Sequence, residues 1–271
     1  MGYELIAIDL DDTLLDKRKS ITPKNKSMIQ KALKQGVKVV LCSGRTHNAV
    51  IDYAKELDIK GNDQYMITNG GALVETMDQK ILTQHTLSNE FYRRFVQFVK
   101  QNQLHYNVVD LQAKTYTSPE EWFDKYTIAQ AYENNGGLYI REPDQLPSDF
   151  EITKAIINGN EAELDAVSPL VHATFDKDYF VVRTGEGFLE VFPRDVNKGR
   201  ALKELAQSLN IELSKTIAIG DRDNDIPMIK IAGLGIAMEN AQPEVKQVAD
   251  TITTDNNHDG VGNAIEKYLI K

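Results

Sequence analysis

The chain has a single cysteine, Cys42, among 271 residues, so it has neither an internal disulfide nor a thiolate cage for a metal. Set in the apolar run Val39-Val40-Leu41-Cys42, that thiol reads as a small buried side chain rather than a nucleophile. Also missing is any apolar run of membrane-spanning length, and the amino terminus MGYELIAIDL enters a strand-like segment with no signal-peptide pattern. A cytoplasmic location with no membrane partner is the expectation. Positive charge is scarce as well: 31 Lys and Arg stand against 40 Asp and Glu, a net charge of −9, which disfavours nucleic acid as a partner. An anionic substrate must therefore be held by local groups.

What is present is enough apolar residue, 41% of the chain, to build a sizeable core in one large or two smaller domains. Short β-branched runs alternate with amphipathic segments, the pattern of βαβ units around a parallel sheet. Leu5 to Leu10 and Val37 to Leu41 are near-continuously apolar, as strands covered on both faces should be. Between them, Thr22-Pro23 opens a helix whose apolar stripe is Met28, Ile29, Ala32 and Leu33, and Gly36 closes it. A second helix through Val50, Ala54 and Leu57 leads to a short strand, Tyr65 to Thr68, and the turn Asn69-Gly70-Gly71. From residue 84 to 188 the texture changes to aromatic-rich stretches: a helix around Phe91, Phe95 and Val99, then a poorly periodic region from Asp110 to Asp149 holding the only tryptophan, Trp122. Ile152 to Ile157, a short helix near Glu161 to Val167, and strands Tyr179 to Arg183 and Leu189 to Phe192 complete what reads as an inserted α+β module. The βα rhythm then resumes with a helix through Ala201, Leu202, Leu205 and Leu209, the strand Thr216 to Ile219, a helix from Asp225, the strand Leu234 to Ala237 and a terminal helix from Gly260. The expected fold class is α/β: a doubly wound, parallel-sheet, Rossmann-like core of residues 1–83 and 189–271, interrupted by an α+β domain at 84–188.

Four motifs carry chemistry. In Ile8-Asp9-Leu10-Asp11-Asp12-Thr13-Leu14, Asp9 and Asp11 lie at the carboxyl end of the first strand, where ligands bind in open α/β sheets. Carboxylates there can ligate Mg²⁺, attack phosphorus or move a proton, although turn acids and N-caps are the ordinary explanation of such a cluster. Ser43-Gly44-Arg45 follows the second strand and could bind phosphate through a hydroxyl, a backbone N–H and a guanidinium, or be a plain strand-to-helix turn. Lys198 opens a helix, where a cation is mildly misplaced electrostatically and makes more sense facing an anion, although a solvated surface lysine is the ordinary explanation. In Gly220-Asp221-Arg222-Asp223-Asn224-Asp225, capping explains one acid but not three, because clustered like charges repel unless a cation offsets them.

Together, Asp9-x-Asp11-x-Thr13, Ser43-Gly44-Arg45, Lys198 and Gly220-Asp221-x-x-Asn224-Asp225 resemble the four ordered motifs of the haloacid dehalogenase superfamily of phosphatases, over essentially the whole chain. The insertion, with Thr68-Asn69-Gly70-Gly71-Ala72 before it, resembles the Cof-type sugar-phosphatase branch, whose α/β cap closes over the site. The resemblance implies Asp9 as nucleophile, and Asp11 as general acid then base with its backbone carbonyl on Mg²⁺. It implies Ser43 and Lys198 as holders of the phosphoryl oxygens, Asp221 as the acidic metal ligand, and Asp225 as a residue fixing Lys198 or the metal's water. Gly44 and Asn224 belong to the phosphate shell, and Arg45 and Asn69 are implied substrate contacts. Asp9, Asp11, Asp221 and Asp225 form the implied Mg²⁺ set, and a small phosphorylated molecule the implied substrate. Asp12 stands where these enzymes often have glycine and is expected to point away from the metal; Pro227, in the first turn of the last motif's helix, disturbs nothing.

A phosphotransferase or mutase would use the same aspartyl-phosphate and discharge it to a sugar hydroxyl. A non-catalytic phospholigand sensor would lack Asp11, a receiver domain would be much shorter, and a true dehalogenase would lack the second carboxylate of the Asp9-x-Asp11 pair.

Overall fold

The two near-continuous apolar runs become Leu5–Asp9 (β1) and Lys38–Cys42 (β2), paired in parallel and in register from Leu5 opposite Lys38 to Asp9 opposite Cys42. The computed structural model describes residues 2–185 and 187–270. They divide into two units: Met1–Gly44, Val50–Thr83 and Asn197–Lys271 form the first, Arg45–Ala49 and Gln84–Val196 the second. In chain order the elements begin β1, α1 (Pro23–Lys34), β2, α2 (His47–Glu56), β3 (Tyr65–Thr68), β4 (Leu73–Thr76) and β5 (Ile81–Gln84). Next come α3 (Asn89–Gln101), β6 (His105–Asp110), β7 (Thr115–Thr117), α4 (Lys125–Asn134), β8 (Leu138–Ile140), β9 (Ile152–Asn158), α5 (Glu161–Phe175), β10 (Tyr179–Gly185) and β11 (Phe188–Pro193). The chain closes with α6 (Lys198–Ser208), β12 (Thr216–Gly220), α7 (Ile226–Ile231), β13 (Leu234–Ala237), α8 (Pro243–Val248), β14 (Thr251–Ile252) and α9 (Gly260–Tyr268).

The first unit holds an eight-stranded sheet in the order β14-β13-β12-β1-β2-β3-β4-β5. It is parallel from β14 through β3, and β4 turns back antiparallel on β3. The order reverses at β1, with β2 on one side and β12 on the other, so the carboxyl ends of these strands frame the switch-point crevice where such sheets bind ligands. Helix α1 starts as its sequence directs, with Thr22 Oγ1 accepting from the Asn25 N–H at 3.3 Å and Pro23 in the first turn.

The second unit holds a six-stranded sheet, β10-β11-β9-β6-β7-β8, antiparallel except where β7 meets β8. One face carries a core built from Phe91, Phe95, Phe175 and Tyr106 on α3, α5 and β6. The return to the first unit comes at Asn197, not at 189 as the sequence suggested, because all of β11 stays hydrogen-bonded between β10 and β9. Helix α5 outruns its expected end near Val167: Pro169 forfeits a hydrogen bond, but burial of Val171 and Phe175 keeps the helix going.

Candidate active site

The strand alternation that would have aligned Asp9 with Asp11 stops at Asp9. Residues Leu10–Leu14 form one wide turn closed by the Leu15 N–H on the Leu10 carbonyl at 2.9 Å, with Asp11 extended and Asp12 left-handed at φ 59°. Thr13, in that turn, donates its hydroxyl to Asp221 Oδ1 at 2.8 Å, which ties the end of β1 to the end of β12.

Lys198 is the first residue of α6 and only 1% exposed. Its ammonium donates to Asp9 Oδ1 at 2.5 Å and to Asp225 Oδ1 at 2.6 Å. The other oxygen of Asp225 accepts from the backbone N–H groups of Asp221 (2.9 Å) and Arg222 (3.1 Å). Gly220 makes this possible, since a Cβ there would lie 2.5 Å from Asp225 Cβ. Gly71, at φ +104°, has the same role under the start of α6, where a Cβ would meet the Asn197 carbonyl oxygen at 2.4 Å.

Asp9, Asp221 and Asp225 are all buried, and each offers an oxygen within 4.8 Å of the others. Three carboxylates against one buried ammonium leave negative charge in excess when all are ionised, which the half-exposed guanidinium of Arg222, with Nε 3.7 Å from Asp221 Oδ2, offsets only in part. Burial, then the Asp225 charge, raises the Asp9 carboxyl well above its ordinary range against the pull of Lys198. Burial and Asp225 likewise push Asp221 up to about 6, with the Thr13 hydrogen bond opposing. For Lys198, burial disfavours the ammonium, but Asp225 and Asp9 outweigh it and hold the charge. A hard divalent cation fits this donor set in both charge and chemistry. Cys42 is buried, and burial pushes its thiol up, so it is inert as the sequence suggested.

The Asp11 carboxylate stands apart from the three: its Oδ1 pairs with Lys19 Nζ at 3.0 Å. Asp12 points to Arg222, with Oδ2 2.8 Å from Nη2, while its backbone carbonyl accepts from Asn240 Nδ2. Ser43, buried, extends the ladder: its N–H donates to the Ile67 carbonyl, and its carbonyl accepts from Gly70. Asn69 is buried at the end of β3, and a Cβ added to Gly44 would meet no neighbour within 4 Å. Asn224 is half-buried in the turn before α7, and Arg45 belongs to the second unit. The partners that sequence reasoning missed are Thr13, Lys19 and Arg222. An aspartate in a position often held by glycine was the available signal for Arg222, because an acid beside other acids calls for a cation.

A parallel sheet with a carboxylate-lysine cluster at its switch point defines a hydrolase of the haloacid dehalogenase type, and comparison with known proteins agrees. The profile of the haloacid dehalogenase-like hydrolase family matches residues 6–265, and the chain belongs to that family. Phosphatase YwpJ of Bacillus subtilis is 30% identical over 98% of this chain and 100% of its own. The 5-amino-6-(5-phospho-D-ribitylamino)uracil phosphatase YcsE of the same organism is 28% identical over 100% and 97%. A crystal structure of a haloacid dehalogenase-like hydrolase from Bacteroides thetaiotaomicron superposes with a TM-score of 0.85 at 30% identity, covering 98% and 99%. The protein is a phosphatase of this family. No helix among the described residues is long and apolar enough to cross a membrane.

Proposed function

We propose that the protein is a Mg²⁺-dependent phosphomonoesterase that hydrolyses small phosphorylated metabolites, sugar phosphates foremost, through an aspartyl-phosphate on Asp9. The observation that carries the reading is the buried cluster of Asp9, Lys198, Asp221 and Asp225 at the carboxyl ends of β1 and β12. Asp225 spends both oxygens on Lys198 and two backbone N–H groups, which suits it to positioning Lys198. Asp9 and Asp221, with the Asp11 carbonyl, are then the residues to hold the ion. Mg²⁺ supplies positive charge that offsets the carboxylates and the phosphate dianion.

In the first half-reaction an Asp9 oxygen bonds to phosphorus as the ester P–O bond breaks, and Asp11 gives its proton to the departing alkoxide. Lys198 and Ser43 hold the transferring oxygens, with Gly44 and Asn224 beside them. In the second, Asp11 takes a proton from water, the hydroxide attacks phosphorus, and phosphate leaves with Asp9 restored. In this reading Arg45 and Asn69 are substrate contacts, and Gln84–Val196 is the domain that sets specificity. The sugar-phosphate preference draws support from YcsE, whose name specifies a phospho-D-ribityl group.

Phosphate release from sugar phosphates, nucleotides and pyridoxal phosphate, measured with Mg²⁺ or EDTA, tests the reading. Release that requires Mg²⁺ and disappears in Asp9→Asn is expected. Turnover that survives EDTA or the loss of Asp9 would overturn it.

A further inference from the structure

The turn that carries Asp11 is held from outside as well as by its own closing bond. Three carbonyls of the turn and the residue after it accept from asparagine side chains: Asp12 from Asn240 Nδ2 at 2.8 Å, Leu14 from Asn25 Nδ2 at 3.4 Å, and Leu15 from Asn256 Nδ2 at 2.8 Å. Each amide is in turn fixed at its oxygen. Asn240 Oδ1 accepts from the Asn256 N–H at 3.1 Å, Asn256 Oδ1 from Asn257 Nδ2 at 3.1 Å, and Asn25 Oδ1 from the Gly262 N–H at 2.7 Å. The nitrogen must therefore face the carbonyl in every case, since a flipped amide would set oxygen against oxygen. Asn257 Oδ1 also accepts from the Lys17 N–H at 3.2 Å, which steadies the segment that brings Lys19 to Asp11.

The stretch between β14 and α9 that supplies Asn256 is closely packed. Thr253 Oγ1 donates to the Gly260 carbonyl at 2.7 Å, and the Gly260 N–H to the Asp255 carbonyl at 3.1 Å. A Cβ on Gly260 would lie 2.1 Å from the Thr254 carbonyl oxygen, and one on Gly262 2.9 Å from Asn25 Oδ1. Asn25 and Asn256 are buried, while Asn240 is exposed. Asp12 is left-handed, a conformation that a residue other than glycine keeps only where its surroundings over-determine it. Water could satisfy a carbonyl at this half-exposed residue as far as hydrogen bonding alone is concerned. An amide fixed at both ends adds direction.

We infer that Asn240 and Asn256 are positioning residues for proton transfer: by holding the carbonyls of Asp12 and Leu15 they set where the Asp11 carboxylate meets the alcohol oxygen as the ester bond breaks. The inference rests on the phosphatase reading, in which Asp11 is the general acid, and deepens it. Both asparagines act through Asp11 rather than on the substrate.

The test uses two leaving groups. An alkoxide from sorbitol 6-phosphate or glucose 6-phosphate, whichever is hydrolysed faster, must be protonated as it departs, whereas the phenolate of p-nitrophenyl phosphate leaves without a proton. Values of kcat/KM, which cover the steps up to that departure, are measured with Mg²⁺ for wild type, Asp11→Asn, Asn240→Ala and Asn256→Ala. Thermal melting checks the fold, and Asn240→Ala, at an exposed position, carries the test if Asn256→Ala is unstable. Asp11→Asn should lose far more on the sugar ester than on the nitrophenyl ester. Asn240→Ala should show the same selectivity in milder form, a loss of roughly tenfold on the sugar ester and about twofold or less on the other. An equal loss on both esters, or none, while Asp11→Asn remains selective would overturn the inference and leave the phosphatase reading standing. Equal losses in Asp11→Asn itself, or no hydrolysis of either sugar ester by wild type, would overturn that reading and the inference with it.

Discussion

Lys198 is the residue on which the cluster's charge balance turns. Among the described residues its ammonium bonds both Asp9 and Asp225, beside Asp221, and all four side chains are buried. Lys198→Met should therefore destabilise the metal-free protein by about 3 kcal/mol at pH 7, because it leaves buried carboxylates without their counter-charge. The loss should shrink at pH 5, where the carboxyls whose affinity for protons is raised can neutralise themselves. Urea unfolding at both pH values checks this, and a loss independent of pH would mean that Lys198 matters only through packing. Asp9→Asn should cut turnover by orders of magnitude with the fold intact, read by phosphate release and circular dichroism. Asp12→Gly should be close to neutral in rate. It removes a half-exposed pair with Arg222 worth about 0–1 kcal/mol and frees a left-handed position that glycine tolerates best. A collapse in kcat would show that Asp12 takes part in the chemistry.

At the scale of the element, what the sequence made legible were the pieces whose local and tertiary demands coincide. The β1 and β2 runs, the Thr22-Pro23 start of α1 and the lysine at the head of α6 could all be read directly. Helix α4 could not, because its buried positions include Thr127, Gln130 and Asn134, so no apolar stripe marks it. Its neighbours β7 and β8 are three residues each, too short to show alternation. The buried polar face of α4 is hydrogen-bonded to the sheet, with Thr127 Oγ1 accepting from Asn158 Nδ2 and Gln130 Oε1 accepting from Asn107 Nδ2. In the site, the motif residues were legible because their chemistry is confined to short segments. The pairs Asp12 with Arg222 and Thr13 with Asp221 were not, since each spans more than 200 residues and exists only once β1 lies beside β12. That junction has its own test. Gly220→Ala forces a Cβ against Asp225, so it should cost about 1–3 kcal/mol and lower kcat by displacing the partner of Lys198. Loss of stability with kcat unchanged would separate Asp225 from catalysis.

For the whole molecule, the excess of carboxylates ties stability to pH and, on the proposed function, to Mg²⁺ as well. Asp221 has an ordinary value of 3.8 and is pushed up to about 6 in the folded protein. The folded state thus binds its proton more tightly than the unfolded chain does. Its stabilising contribution is complete below about 3.8 and is lost as the pH rises through 6. In EDTA, the melting temperature of wild type relative to Asp221→Asn should therefore fall between pH 5 and pH 7. On the proposed function Mg²⁺ would act in the opposite sense, since it would compete with protons for the same oxygens of the folded state. At a concentration of 100 times its dissociation constant it should add about 2.7 kcal/mol at pH 7 and much less at pH 5. Calorimetric melting of both proteins at pH 5, 6 and 7, with Mg²⁺ or EDTA, reads the two effects in one experiment. Equal stabilisation by Mg²⁺ in wild type and Asp221→Asn would place the ion elsewhere and dissolve the link between the cluster's charge and its chemistry.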